Sequence, residues 1–334
     1  TTRARQMLEA YGKFQKTYAN SNRLDQALLG TADAHYLAGQ MDLALKAYSD
    51  VKRKFPEKER AAFGIGLCQA QQKDFRQAEE TLRTFLFDHP QSDLADQARF
   101  HLGRILMNRE FYSSAAEEFS EVLSAPSSLK LERSARSFLA ECYFRLGDYQ
   151  QAIQIDKSLL KRGGAPDLLR RLARSYFSNN QHGEAVQAYS VFLRFFPDAA
   201  DADSIAFTRA ERLAFLNRIP EAISAFQELS KKYPNSPLRH QADQSVGDLL
   251  FKTQKYADAL NVYHQIPPSS RNESIAGQEV LSLYRLKRVK EAQKTVKTFK
   301  KSHKTATDWV ALFEVEEGKY KLRLQKPKDA RKIF

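Results

Sequence analysis

Apolar and polar positions recur along this chain with a period of 33 to 37 residues. Each copy has a large apolar residue, two polar residues, an alanine, three further residues, a second large apolar residue and a closing proline. Met41-Asp42-Leu43-Ala44…Tyr48…Pro56 and Phe75-Arg76-Gln77-Ala78…Leu82…Pro90 are two such copies. The anchor alanines are Ala44, Ala78, Ala115, Ala152, Ala185, Ala222, Ala259 and Ala292, spaced 34, 37, 37, 33, 37, 37 and 33 apart. Self-similarity at this period marks a stack of supersecondary units.

Each copy predicts two helices. Twelve residues before the anchor stands a small residue: Ala32, Gly66, Gly103, Ala140, Ala173, Ala210 and Gly247, with Val280 the exception. A small side chain there lets the first helix press on the second. Apolar residues at helical spacing surround it, as in Leu139, Tyr143 and Leu146. Turns such as Leu37-Ala38-Gly39-Gln40-Met41 carry a glycine suited to a left-handed helix cap. The second helix opens on its aromatic and stops near the proline, which lacks an N–H and clashes with the preceding turn. Asp156 stands where the second large apolar residue is expected.

These residues resemble the tetratricopeptide repeat family: the small residue, the turn glycine, the Tyr or Phe, the anchor alanine, the second aromatic and the proline. The resemblance implies an all-α, right-handed α-solenoid of antiparallel helix pairs. It divides the chain into residues 1–24, the second helix of a partial repeat (Met7, Tyr11, Phe14); 25–304, eight repeats; and 305–334, a basic partial ninth repeat with Gly318 and Ala330 twelve apart. The longer repeats, such as Tyr233-Pro234-Asn235-Ser236-Pro237…Ala242…Gly247, are similar to those of bacterial cell-envelope members of the family.

One repeat cannot bury its apolar face alone, so repeats stack into a rod with an extended surface. The family resemblance implies that first helices line a concave groove. The register then places Tyr36, Phe144, Phe177, Phe215, Phe251 and Tyr284 in it, with packing between neighbouring first helices as the alternative. Aromatics bring contact area with few rotors and suit a partner peptide or helix. Arg104, Arg145, Arg170 and Arg174 are expected near one another, as a bidentate clamp for an acidic segment or as solvated charges paired with Glu141. The family's carboxylate clamp needs Lys and Asn where this chain has Leu29, Asp33, Phe63 and Leu67, and is not expected.

Composition narrows this further. Hydrophobic residues at 42% supply a core, and 13 Gly with 11 Pro are few for an all-β chain. No stretch approaches the roughly 18 apolar residues of a membrane span. Cys68 and Cys142 fall at equivalent places two repeats apart, too far for a disulfide, and are read as small buried residues. The net charge is +13, of which +10 lies between Arg285 and Phe334. There Lys297, Lys300, Lys301, Lys304, Lys321 and Arg323 form a basic surface: a solvated helix face, or a contact for an anionic membrane, cell-wall polymer or acidic protein. Without interleaved aromatics, nucleic acid is the least favoured partner.

Catalytic motifs are absent: no P-loop, no GxSxG, no HExxH. No histidine pairs with another His or a Cys at metal spacing, so all seven are read as surface residues, and Glu117-Glu118 as exposed. Neither cofactor nor metal is expected. The function implied is a non-enzymatic protein-interaction scaffold that binds a partner segment, in the periplasm or at the periplasmic face of the outer membrane as a lipoprotein. A sugar-contacting module of polysaccharide export and a cytoplasmic regulator are the alternatives. The chain opens on Thr1-Thr2-Arg3, which leaves a removed leader open.

Overall fold

A computed structural model describes residues 2–161, 163 and 165–323. These form eighteen α-helices and no strand. The first compact unit runs to Asn179. It holds α1 (Thr2–Thr17), then α2 (Leu24–Leu37) with α3 (Met41–Lys54), α4 (Glu59–Gln71) with α5 (Phe75–Asp88), α6 (Ala95–Asn108) with α7 (Tyr112–Ser124), α8 (Leu129–Leu146) with α9 (Tyr149–Leu160), and α10 (Pro166–Ser178). The second begins at Asn180. It holds α11 (His182–Phe195), α12 (Ala202–Phe215) with α13 (Ile219–Lys232), α14 (Arg239–Lys252) with α15 (Tyr256–Gln265), α16 (Glu273–Arg285) with α17 (Val289–Ser302), and α18 (Thr307–Arg323). Each helix of a pair packs on the next, as in an α-solenoid. The second helix expected for the ninth repeat, with Ala330, lies outside the described residues.

Every anchor alanine is at 0% exposure. Four residues on, the large residue crosses to the first helix of its pair at the small position. A Cβ on Gly103 would stand 2.8 Å from the Phe119 ring, and one on Gly247 2.3 Å from the Tyr263 ring. Overpacking such a contact costs typically 1–3 kcal/mol. The exception at Val280 is a size exchange: it is fully buried, and its register partner is the short Val296 in place of an aromatic. The same large residues face the first helix of the following repeat. A Cβ on Gly64 would meet the Tyr48 ring at 2.6 Å, and one on Gly30 the Tyr11 ring of α1 at 2.4 Å. Thus α1 contacts its successor as a second helix does.

The turns are more regular than their sequences. The residue five before each anchor has positive φ in all eight repeats: Gly39, Lys73, Glu110, Gly147, Asn180, Asn217, Gln254 and Lys287. In the first repeat Gln40 N–H donates to the His35 carbonyl (3.0 Å) and Gly39 N–H to that of Tyr36 (3.0 Å). Those two bonds define a Schellman cap. Two of the following helices are also capped from their N-cap side chains, Asp74 accepting from Gln77 N–H and Asp148 from Gln151 N–H, both at 3.2 Å.

Asp156 is accommodated by a charge exchange. It is at 0% exposure on α9, and Arg171 of α10 grips it through two bonds of 2.9 and 2.5 Å. Arg171 occupies the register position of Gly64, so an aromatic-on-small contact has become a carboxylate–guanidinium fork. Arg171 also reaches Ser137 (3.4 Å) and Glu141 (3.7 Å) of α8. Burial pushes the Asp156 carboxyl up, and the adjacent guanidinium holds it back.

Two stability predictions follow from these contacts. Gly147, at φ +83° with nothing within 4 Å of an added Cβ, tests backbone strain alone. Gly147→Ala is expected to lower unfolding stability by about 1 kcal/mol and Lys73→Gly to raise it by roughly 0.5–1 kcal/mol, measured by urea titration. Asp156→Ala strands a buried guanidinium and is expected to cost about 3–5 kcal/mol. The double change Asp156→Tyr with Arg171→Gly copies the Tyr48–Gly64 contact and should recover most of that loss in the same titration.

Candidate functional site

First helices approach one another along each unit: α2, α4, α6, α8 and α10 in turn in the first, and α14, α16 and α18 in the second. The second helices have no comparable approach among the strongest contacts, so within each unit the first helices form the tighter, inner side.

On the inner side of the first unit, three neighbouring helices share an arginine–aromatic strip. Arg104 of α6 stands over the Phe138 ring of α8 at 5.7 Å. Arg174 of α10 stands over Phe144, also on α8, at 4.9 Å. Both arginines are exposed, and neither has an acidic partner among the described residues. The rings hold the guanidinium planes by cation–π attraction while leaving their N–H edges to solvent. The other two expected arginines are neutralised: Arg145 by Glu141 (2.8 Å) and Arg170 by Asp167 (2.5 Å). Phe144 also packs on Tyr149 (5.6 Å), whereas Tyr36 and Phe177 are half-buried.

In the second unit Phe215 is 67% exposed, with its ring edge-to-face on His182 at 4.7 Å. Phe251 is half-buried against Tyr256 (5.1 Å). Tyr284 does not line an open face. It is buried, and its hydroxyl donates to Glu317 of α18 (3.4 Å) because that helix covers it.

Among the basic residues, Lys297, Lys301 and Lys304 are exposed without an acidic partner among the described residues. Lys300 pairs with Glu314 (3.3 Å) and Lys321 with Glu317 (2.9 Å). The side chain of Arg323 lies outside the described residues.

Two surface expectations change. Glu118 is not on an exposed face: it sits between Arg83 (3.7 Å) and Arg99 (3.5 Å), and burial pushes its carboxyl up. His101 is not a surface histidine. Its ring packs on Phe63 (6.0 Å) and Phe100 (5.7 Å). Burial, and then the Arg104 charge, push it down to about 4. Burial likewise pushes the free thiols of Cys68 and Cys142 up to about 11 and about 12.

Two clefts open between successive second helices, one of about 450 Å³ between α3 and α5 and one of about 660 Å³ between α11 and α13, and a third of about 450 Å³ is lined by Arg271, α16 and α17. Sequence reasoning missed the second, although its central residue, Arg209, is visible once the repeats are aligned. Among the described residues, no group of His, Cys, Asp and Glu could hold a metal ion, and no helix is long and apolar enough to cross a membrane.

Stacked helix pairs with an inner aromatic and charged surface define a repeat scaffold that binds protein partners. Profiles described as tetratricopeptide repeat match residues 29–93, 69–128, 100–165 and 207–272, and a second match covers 167–199. The chain belongs to the tetratricopeptide repeat family. Among solved structures it is similar to the C-terminal part of a TPR repeat-containing protein from Cytophaga hutchinsonii, with a TM-score of 0.62 at 12% identity over 75% of this chain and 98% of that one. It is also similar to PilW, a type IV pilus biogenesis factor, with a TM-score of 0.52 at 18% identity over 66% and 99%. No curated sequence matches it.

His101 supplies a pH test of the inner side. The folded chain holds it neutral, while the unfolded chain takes up a proton below pH 6.5. Its contribution is therefore present above 6.5 and is lost as pH falls through about 4. The full loss is about 3 kcal/mol. Urea midpoints measured between those pH values should fall steeply for the native chain and less steeply for His101→Gln.

Proposed function

We propose that the chain captures an acidic segment of a partner protein along the inner face of its first unit, within a bacterial envelope complex. One observation carries the reading: Arg104 and Arg174 present unpaired guanidinium edges from rings on the same helix, α8. A carboxylate can bind such an edge through two parallel N–H donors. The ring beneath fixes the plane of the donors, so little side-chain freedom is lost when the partner arrives. Phe144 offers apolar contact beside the charge, which suits a segment that mixes acidic and large apolar residues.

The envelope setting rests on the form of the longer repeats, such as that from Tyr233 to Ala259. A protein of similar structure, PilW, is a type IV pilus biogenesis factor. The polysaccharide and cytoplasmic readings have no comparable feature of the described residues in their favour. The basic residues Lys297, Lys301 and Lys304 add a second contact, with an anionic membrane or wall polymer.

Charge reversal tests the inner face. The double variant Arg104→Glu, Arg174→Glu should keep its helical circular dichroism. Its affinity for partners captured from the source cells, identified by mass spectrometry, should fall roughly tenfold or more. Undiminished capture would remove the arginine strip from the binding surface. Fractionation of the same cells checks the setting, with recovery in the cytosol against it.

A further inference from the structure

Thirteen residues before the anchor, four repeats bury an apolar side chain, Leu102, Leu139, Leu172 and Val246, all below a tenth exposed, while the first two carry the half-buried Thr31 and Ile65. In the sixth repeat this position is Arg209, and in the eighth it is Glu279. Glu279 is held from two sides, by His264 (2.9 Å) and Arg271 (3.5 Å). Arg209 is not. Its side chain is only 17% exposed, yet among the described residues its acidic partner is a single carboxylate, Glu228 (2.9 Å), which is itself 61% exposed. Its Nε is buried with no hydrogen-bond partner. A buried unpaired donor costs about 1–3 kcal/mol, more when charged, and an incoming acceptor would offset that cost.

The arginine is among the residues that line the 660 Å³ cleft between α11 and α13. Val186, Val191, Leu213 and Ala225 supply apolar walls. The remaining charges at the rim, Arg218 and Glu221, are paired with each other at 2.5 Å. The cleft falls within the size range of ligand sites, which combine an apolar lining with a few fixed polar groups.

We infer that this outer cleft is a second binding site, which receives a carboxylate on a short apolar stem from an acidic partner peptide. The Arg209 side chain turns toward the cleft so that the incoming carboxylate meets its Nε side, the stem lies against Val186 and Leu213, and Glu228 remains on the far nitrogen or moves into solvent. The site lies in the second unit and does not depend on the arginine strip of the first.

The test uses the full chain and hexanoate as the probe, with hexanol and inorganic phosphate as controls, and follows the Arg209 Nε–H signal by NMR. Hexanoate should shift that signal saturably, at far lower concentration than hexanol or phosphate. Arg209→Leu copies the leucine of the third, fourth and fifth repeats, should fold, and should abolish saturable binding reported by backbone amides of α11 and α13. Glu228→Gln removes the competing carboxylate and should tighten binding roughly two- to fivefold. Equal effects of hexanol and hexanoate would overturn carboxylate recognition. Retention of hexanoate binding by Arg209→Leu, or its weakening by Glu228→Gln, would overturn the site.

Discussion

The contact between the small residue of each first helix and the large residue four beyond each anchor alanine governs this molecule. With the alanine at zero exposure, the second helix lies close enough for its large side chain to reach both its own first helix and the next one. One side chain thus serves two interfaces. That explains why the exceptions come in compensating pairs. Tyr48 has Gly64 opposite it, Phe119 stacks on Phe138 at 5.6 Å, and Asp156 has Arg171. A change on one side demands a change some fifteen to nineteen residues on, so stability is a property of neighbouring repeats. The Asp156–Arg171 fork belongs to this logic, and its directionality ties α8, α9 and α10 together in a way that an apolar contact does not.

Much of the fold was legible because the period is carried by side-chain size. The eight anchors, the helix starts at Met41, Phe75, Tyr112 and Tyr149, and the ends near Pro56, Pro90, Pro197 and Pro234 could be read by spacing alone. The left-handed turn was legible only at Gly39 and Gly147. At Lys73, Glu110, Gln254 and Lys287 the side chain gives no sign of the backbone, because the two caps of the Schellman turn impose the conformation from either side. Glu118 and His101 were misplaced for a related reason: the groups that bury them, Arg83 and Arg99 for one and Phe63 for the other, come from other helices. Tyr284 was set in the groove by register, yet the helix that follows it, α18, closes over it.

The candidate site was half legible. Register located Arg104, Arg174 and Phe144 on the inner side, but could not tell which arginines are already neutralised. Glu141 and Asp167 lie on the same helices as Arg145 and Arg170, at intervals of four and three, where pairing is local. Arg104 and Arg174 are left over because the neighbouring helix α8 places aromatics, not acids, within their reach. Phe138 was missed because it belongs to the interface set, stacked on Phe119, and only its other face serves the guanidinium.

The two sides of each unit are physically unlike, and that difference assigns them different chemistry. First helices approach one another, so the inner face is continuous and its side chains can cooperate across several repeats. The Arg104–Phe138–Phe144–Arg174 strip spans three such helices. Clefts part the second helices α3 and α5, and α11 and α13, so the outer face there is divided into compartments about one repeat wide. Whether a compartment is a void or a site depends on the few residues at its floor. With Arg209 the opening has a charge, a buried unpaired donor and an apolar wall. A change at one register position is therefore enough to give one repeat a chemistry that its neighbours lack, as Arg209 and Glu279 both do where the third to fifth repeats have leucine.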